Sequence, residues 1–142
     1  MATVNSNLGI VKGKVIKDID DRRWMADPWE LNKGVNGVLE ITAEVKAEGD
    51  HRVSRYLKSG VPVYKDGDVY KMFDAAAKAA GKKVDGFTLG VNEIQDRQFN
   101  FYEHVQTGVA VRGTIYKVWL PAFKPEKDDI PSRFVYIEPN GA

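Results

Sequence analysis

Residues 66–81 read DGDVYKMFDAAAKAAG, and the interpretation of the whole chain is built outward from this stretch. Apolar residues recur in it at spacings of three and four, the period of an amphipathic helix. They are Val69, Met72, Phe73, Ala76 and Ala80. Asp66 or Asp68 is suitably placed to cap the first turn, Gly81 can end the last one, and the many alanines favour helix. The pattern therefore predicts one helix over residues 66–81.

The chain on both sides of this stretch is typical of β-strands. The clearest alternation covers residues 39–47, with Leu39, Ile41, Ala43, Val45 and Ala47 on the apolar face. We expect a first strand in residues 9–24, a loop over 25–37, and a hairpin formed by 39–47 and 51–58. A second hairpin is expected from 87–94 and 98–105, then a long central strand over 109–123 and a short one at 133–138. Phe99 and Phe101 alternate as core residues do.

This order of elements predicts one mainly β domain over residues 1–142, an antiparallel Greek-key barrel or sandwich with a helix between strands 3 and 4. The chain has 142 residues and no cysteine, so disulfides, cysteine-ligated zinc and thiol catalysis are excluded. Its formal net charge of +1 excludes a strongly basic nucleic-acid binder but leaves room for a local basic groove. No apolar run approaches the roughly 20 residues that span a bilayer, and the start lacks a signal peptide. We expect no membrane partner and a location in the cytoplasm or in a virion.

Enzymatic motifs are missing from the sequence. His51 and His104 are far apart and lie in no metal-ligand spacing, and no glycine-rich phosphate loop occurs. The acidic turn of Asp18, Asp20 and Asp21 is more often a solvated turn than a cation site. We therefore expect a non-enzymatic protein with no catalytic residue, no metal and no cofactor.

Basic and aromatic residues are interleaved in two segments that contain no acid, residues 51–65 and 108–124. Single-stranded nucleic acid is bound by rings that stack on bases and by cations that contact phosphates. If the two segments lie side by side, they form a stripe of rings and positive charge, and binding should depend strongly on salt. The candidate residues are Arg52, Arg55, Tyr56, Lys58, Arg112, Tyr116, Lys117 and Trp119, extended by Arg22, Arg23 and Trp24.

The segment VKGKVIKDIDDRR at residues 11–23 resembles the first strand of bacterial and phage single-stranded DNA-binding proteins, which have the OB fold. The order of elements over residues 9–120 resembles the same fold. This resemblance implies that single-stranded DNA is the partner. The chain departs from the family at residues 128–131, DDIP, which look like the family's acidic tail but are followed by eleven more residues.

A second interpretation is a structural subunit of a phage, such as a tail, neck or capsid-decoration protein. Trp24 and Trp29 lie in loop sequence, and an exposed tryptophan commonly anchors a partner chain. Trp29 is therefore the candidate partner-binding residue, and a homo-oligomer or larger assembly is expected. A protein that inhibits another protein by covering its surface would have the same sequence features.

Overall fold

A computed structural model describes residues 21–26, 34–121 and 123–138 of the chain. Within these ranges the strands are β1 (Val35–Glu40), β2 (Arg52–Val53), β3 (Tyr56–Leu57), β4 (Pro62–Asp66), β5 (Val69–Met72), β6 (Gly86–Leu89), β7 (Asn92–Glu93), β8 (His104–Ala110), β9 (Gly113–Tyr116) and β10 (Phe134–Ile137). The helices are α1 (Ala43–Lys46), α2 (Ala75–Ala79) and the two 3-10 turns Lys117–Trp119 and Lys127–Asp129. The predicted first strand at residues 9–24 lies largely outside the described residues.

Five of the described strands close into a barrel, in the order β1, β5, β4, β6, β8 and back to β1. β1 is the joining strand, because it pairs with β8 antiparallel from Val35 to Glu40 and with β5 parallel at Leu39. The other barrel pairs are antiparallel. Helix α2 lies between the third and fourth barrel strands in chain order, β5 and β6. The predicted mainly β fold class is confirmed, and the architecture is a closed barrel.

The prediction of a single helix over residues 66–81 is wrong. Asp66 ends β4 and Val69 begins β5, and the two residues face each other across a hairpin whose turn contains Gly67 at φ +64°. Only Ala75–Ala79 is helical, with Asp74 as its cap: the Asp74 carboxylate accepts a hydrogen bond from the Ala77 amide at 2.9 Å. The ladder with β4 satisfies the backbone of residues 69–72, so pairing overrides the helical spacing of their side chains.

The alternation over residues 39–47 also divides between two elements. β1 ends at Glu40, and residues 43–46 form α1, in which Val45 is buried while Ala43 and Ala47 are exposed. Leu39 and Ile41 are buried as predicted. Val45 is four residues after Ile41, and a single helical turn brings the two to the same side of the chain. The alternating apolar residues are therefore buried by a helical turn in place of the predicted strand.

Three further strand predictions need correction. The predicted partner of residues 39–47 is itself a small hairpin, because Arg52 pairs with Leu57 and Val53 with Tyr56. The predicted second hairpin shifts along the chain, since β6 pairs with β8, Phe87 facing Ala110. The long central strand breaks between β8 and β9, where Gly113 has φ +128°, and it ends in a 3-10 turn. The short last strand is confirmed as β10.

The described part of the molecule has two apolar cores. One fills the barrel and includes Leu39, Val63 and Val109. The other lies between the outer side of β6 and a sheet of β9 and β10, where Phe87 contacts Trp24 and Phe134 with ring centroids 5.8 and 5.3 Å apart. Residues 24–26 join this sheet, because the Ala26 amide donates to the Thr114 carbonyl and the Tyr116 amide to that of Trp24.

Candidate nucleic-acid interface

Two of the predicted phosphate-binding cations, Arg52 and Arg55, are tied into the fold. Only 9% of the Arg52 side chain is exposed, and its guanidinium donates to Glu48 at 2.9 Å and to the carbonyls of residues 47 and 54. Arg55 lies 3.8 Å from the Glu93 carboxylate and donates to the Tyr56 hydroxyl at 3.2 Å. Tyr56, half-buried in β3, pairs with Glu93 of β7. These residues therefore hold β2, β3 and β7 together.

The predicted cations of the second segment also contact other parts of the chain. Lys117 is 15% exposed and lies 3.3 Å from Glu126 and 3.7 Å from Glu138. Arg22 and Arg112 are exposed, and both make contacts within the chain. Tyr116 is half-buried in β9. Acidic residues from elsewhere in the chain neutralise much of the expected charge, which a count of charges within one segment does not detect.

The predicted stacking role of Trp24 needs correction, because its ring belongs to the core. Trp24 is 1% exposed, packs on Phe87, and donates from its indole nitrogen to the Ser59 hydroxyl at 3.1 Å. Gly60 closes over this ring, and a β-carbon there would lie 2.8 Å from it. Trp29 lies outside the described residues.

The structure does bring Arg23, Lys58 and Trp119 together, around a small cleft of about 150 Å³. The Arg23 guanidinium lies 3.9 Å from the centre of the Trp119 ring, which is 43% exposed. Arg23 also donates to Asp21 at 2.9 Å, and this bond holds the pKa of Asp21 below its ordinary value. The two predicted segments thus meet at this point, with one carboxylate between the two cations.

A larger cleft, of about 390 Å³, runs along the pair β1 and β8 and reaches β7. Among the described residues its polar lining is uncharged and consists of the side chains of Asn36, Asn92, Gln106 and Thr107. Asn92 donates to the Thr107 hydroxyl at 2.9 Å, which fixes both side chains. Gly37 and Gly108 leave the backbone bare within the cleft. At Gly37 a β-carbon would lie 2.6 Å from the Tyr70 ring, so the packing of that ring requires glycine.

A tight loop after β7, residues 95–101, presents Phe99 to solvent. Phe99 is 60% exposed and has φ +65°, a left-handed conformation that is unusual for a bulky residue. Asp96 builds the loop, because one of its carboxylate oxygens accepts from the amides of residues 98 and 100 at 2.8 and 2.9 Å. Gln95 donates from its side-chain amide to the Phe99 carbonyl at 2.8 Å. The ring is therefore carried on a well-anchored backbone.

The prediction that Phe99 is a core residue is therefore wrong, while Phe101, half-buried against the barrel core, is correctly placed. Tyr102, 39% exposed, follows it, and its hydroxyl donates to Glu93 at 3.3 Å. Burial, with a smaller effect from Glu93, raises the pKa of Tyr102 above its ordinary value. The alternation of Phe99 and Phe101 does not reveal that Phe99 and Tyr102 are the exposed rings. The signal in the sequence is Asp96, because an aspartate side chain can hydrogen-bond the backbone two residues later in an Asx-type turn.

The two histidines occupy unrelated places. His51 is buried, with its Nε2 3.0 Å from the Val45 carbonyl, and His104 lies 3.9 Å from Glu40. Within residues 21–26, 34–121 and 123–138, no three carboxylate or histidine side chains are grouped as metal ligands. None of the helices in these ranges has the length and apolar character needed to cross a membrane.

Comparison with known proteins gives no relative: no family model, no curated protein and no solved structure matches this chain.

Proposed function

We infer that this protein binds single-stranded nucleic acid without catalysing a reaction, on the face formed by the β1–β8 cleft and loop 95–101. The observation that carries this proposal is Phe99, a largely exposed ring held in an unfavourable backbone conformation on the loop that follows β7, whose Asn92 lines the polar cleft. Strained residues cluster at binding sites, where the surrounding structure over-determines them. An exposed ring on a fixed loop is a platform on which a base can stack.

The barrel topology supports this choice of face. OB barrels bind oligonucleotides on their second and third strands and on the loop that joins the first and second. In a circularly permuted numbering that takes β6 as the first barrel strand, β8 and β1 become the second and third strands, and the two pair with each other. Helix α2 then follows the fifth strand, β5, instead of the third. The connection from β6 to β8 then corresponds to the binding loop, and it contains Phe99 and Tyr102.

The test is a titration of a labelled oligo-dT of about 16 nucleotides, the upper site size of a single OB domain, followed by fluorescence anisotropy at low salt. We expect saturable binding by the wild-type protein and a loss of about tenfold in Phe99→Ala, since stacking contributes about 1–3 kcal/mol per base. Val118→Ala is the control, because Val118 is also exposed, at 49%, but lies on the 3-10 turn Lys117–Trp119, outside the proposed face. Failure of the wild-type protein to bind, or equal losses in both variants, would overturn the proposal.

A second candidate function is assembly with further copies of the chain, as in a phage structural subunit. The observation that favours it is the outer face of β10, where Val135 and Ile137 are 60% and 40% exposed. Within the described residues β10 pairs only with β9, so no strand in these ranges covers its other edge. Apolar edge strands of this kind pair with other chains. Light scattering on the wild-type protein and on Val135→Lys tests it, with a shift from oligomer to monomer as the expected result.

A further inference from the structure

We propose that the β1–β8 face recognises the bases of a single strand and takes little of its affinity from phosphates. This inference rests on the proposed function and specifies which part of the ligand the site binds. It differs from the strongly salt-dependent binding that the basic segments of the sequence predict.

Two of the described cations near the face already have partners within the fold. Arg55 lies against Glu93, and Arg52 is almost fully enclosed by Glu48 and backbone carbonyls. A guanidinium that already has a carboxylate partner gives up that pair when it contacts a phosphate, so its net contribution is small. Arg97, exposed at the tip of loop 95–101, has no hydrogen-bond or ion-pair partner among the described residues. Lys46 is also exposed, with its Nζ 5.7 Å from the Phe101 ring, and has no ion-pair partner in the part of the chain that the structure describes. Among the described residues we therefore count one or two phosphate contacts at this face, from Arg97 and Lys46.

The polar side chains described in the cleft are suited to a base. Those of Asn36, Asn92 and Gln106 offer amide donors and acceptors, and none of the polar residues that line the cleft within residues 34–121 carries a charge. An amide matches the mixed donor and acceptor pattern of a base edge, whereas a phosphate offers acceptors alone. Asn36 and Gln106 are exposed, so their amides are accessible to a ligand. The cleft is therefore suited to a base edge.

The ring-bearing loop follows a strand that lines the cleft. β7 begins at Asn92, which lines the cleft, and loop 95–101 follows three residues later. We expect a strand with bases in the cleft to extend along this connection toward Phe99. Stacking and amide contacts together give base-dependent binding that salt screens weakly.

Two titrations test the inference, one with oligo-dT and one with an abasic deoxyribose-phosphate oligomer of equal length. For one or two phosphate contacts, raising the salt from about 50 to about 200 mM should weaken oligo-dT binding about threefold to sevenfold, whereas six contacts would give about 300-fold. We expect the abasic oligomer to bind at least tenfold more weakly than oligo-dT.

The outcomes separate the two proposals. If oligo-dT binds with the steep salt dependence, or the abasic oligomer binds equally well, the base-recognition inference fails while the proposed function stands. If oligo-dT does not bind at all, both fail. Gln106→Ala should weaken binding about fivefold or more, and Lys127→Ala, which removes an exposed cation of a 3-10 turn, should leave it unchanged. The reverse ranking would also overturn the inference.

Discussion

Phe99 illustrates how a single residue can oppose the stability of its own loop. A left-handed conformation costs a non-glycine residue about 1 kcal/mol, and Phe99 adopts it at φ +65° with little burial in return. We therefore expect Phe99→Gly to raise the free energy of unfolding by about 1 kcal/mol, measured by urea denaturation. Phe99→Ala, which keeps the β-carbon, is the control and should show no such gain. A destabilised glycine variant would mean that the ring makes contacts that stabilise the fold.

Tyr136 makes the stability of the protein sensitive to alkali. Burial, followed by the nearby carboxylates of Glu138, Glu126 and Asp129, raises the pKa of Tyr136 well above its ordinary value, and its hydroxyl donates to the Pro125 carbonyl at 2.7 Å. The folded chain keeps this proton when the unfolded chain loses it, near pH 10, so stability is present below that pH and falls above it.

We expect this loss to approach about 1.4 kcal/mol per pH unit between pH 10 and 11 in the wild-type protein. Tyr136→Phe should lose less over the same interval, while being about 1 kcal/mol less stable at pH 7 for want of the hydrogen bond. Denaturant unfolding at the three pH values measures both effects. Parallel pH profiles for the two proteins would show that Tyr136 ionises normally in the fold.

At the scale of elements, the sequence predicts the strand content well, but it predicts poorly which strands pair with each other. The strand content, β10 and the burial of Leu39 and Ile41 follow from alternation alone. The hairpin of β4 and β5 does not, because the apolar residues of 69–73 fit a helix and a buried strand equally. Asp66 and Gly67 were the available signal, since an Asp-Gly pair between apolar runs favours a hairpin turn. Which strands are neighbours depends on contacts distant in sequence, which no local pattern contains.

The short helix α2 is held by one ion pair, which makes its attachment testable. Lys78 donates to Asp129 at 3.0 Å, and the same carboxylate, 4% exposed, accepts from the Glu126 amide at 3.0 Å. Asp129→Ala removes both bonds and should cost about 2 kcal/mol, whereas Asp129→Asn keeps the backbone bond and should cost about half as much. Urea unfolding measures the loss of stability in both variants. Equal losses would show that Asp129 contributes to stability through its charge alone.

At the scale of the whole molecule, one of the two described tryptophans belongs to the core and the other is exposed. Trp24 is 1% exposed and connects residues 21–26, the barrel at Phe87 and the β9–β10 sheet, while Trp119 is 43% exposed under Arg23. From the sequence, both rings are candidates for stacking on bases. Local sequence does not distinguish them, because whether a ring is buried depends on which sheet packs over it.

We expect Trp24→Ala to lower the free energy of unfolding by about 3–5 kcal/mol, the range for a large aromatic side chain removed from a core. Trp119→Ala should change it by less than about 1 kcal/mol, because little packing is lost at an exposed ring. Thermal and urea unfolding of both variants measure this difference. Similar losses of stability in the two variants would mean that the exposed Arg23–Trp119 contact stabilises the fold as much as the burial of Trp24 does. The core around Trp24 and Phe87 would then not be what joins the barrel to the β9–β10 sheet.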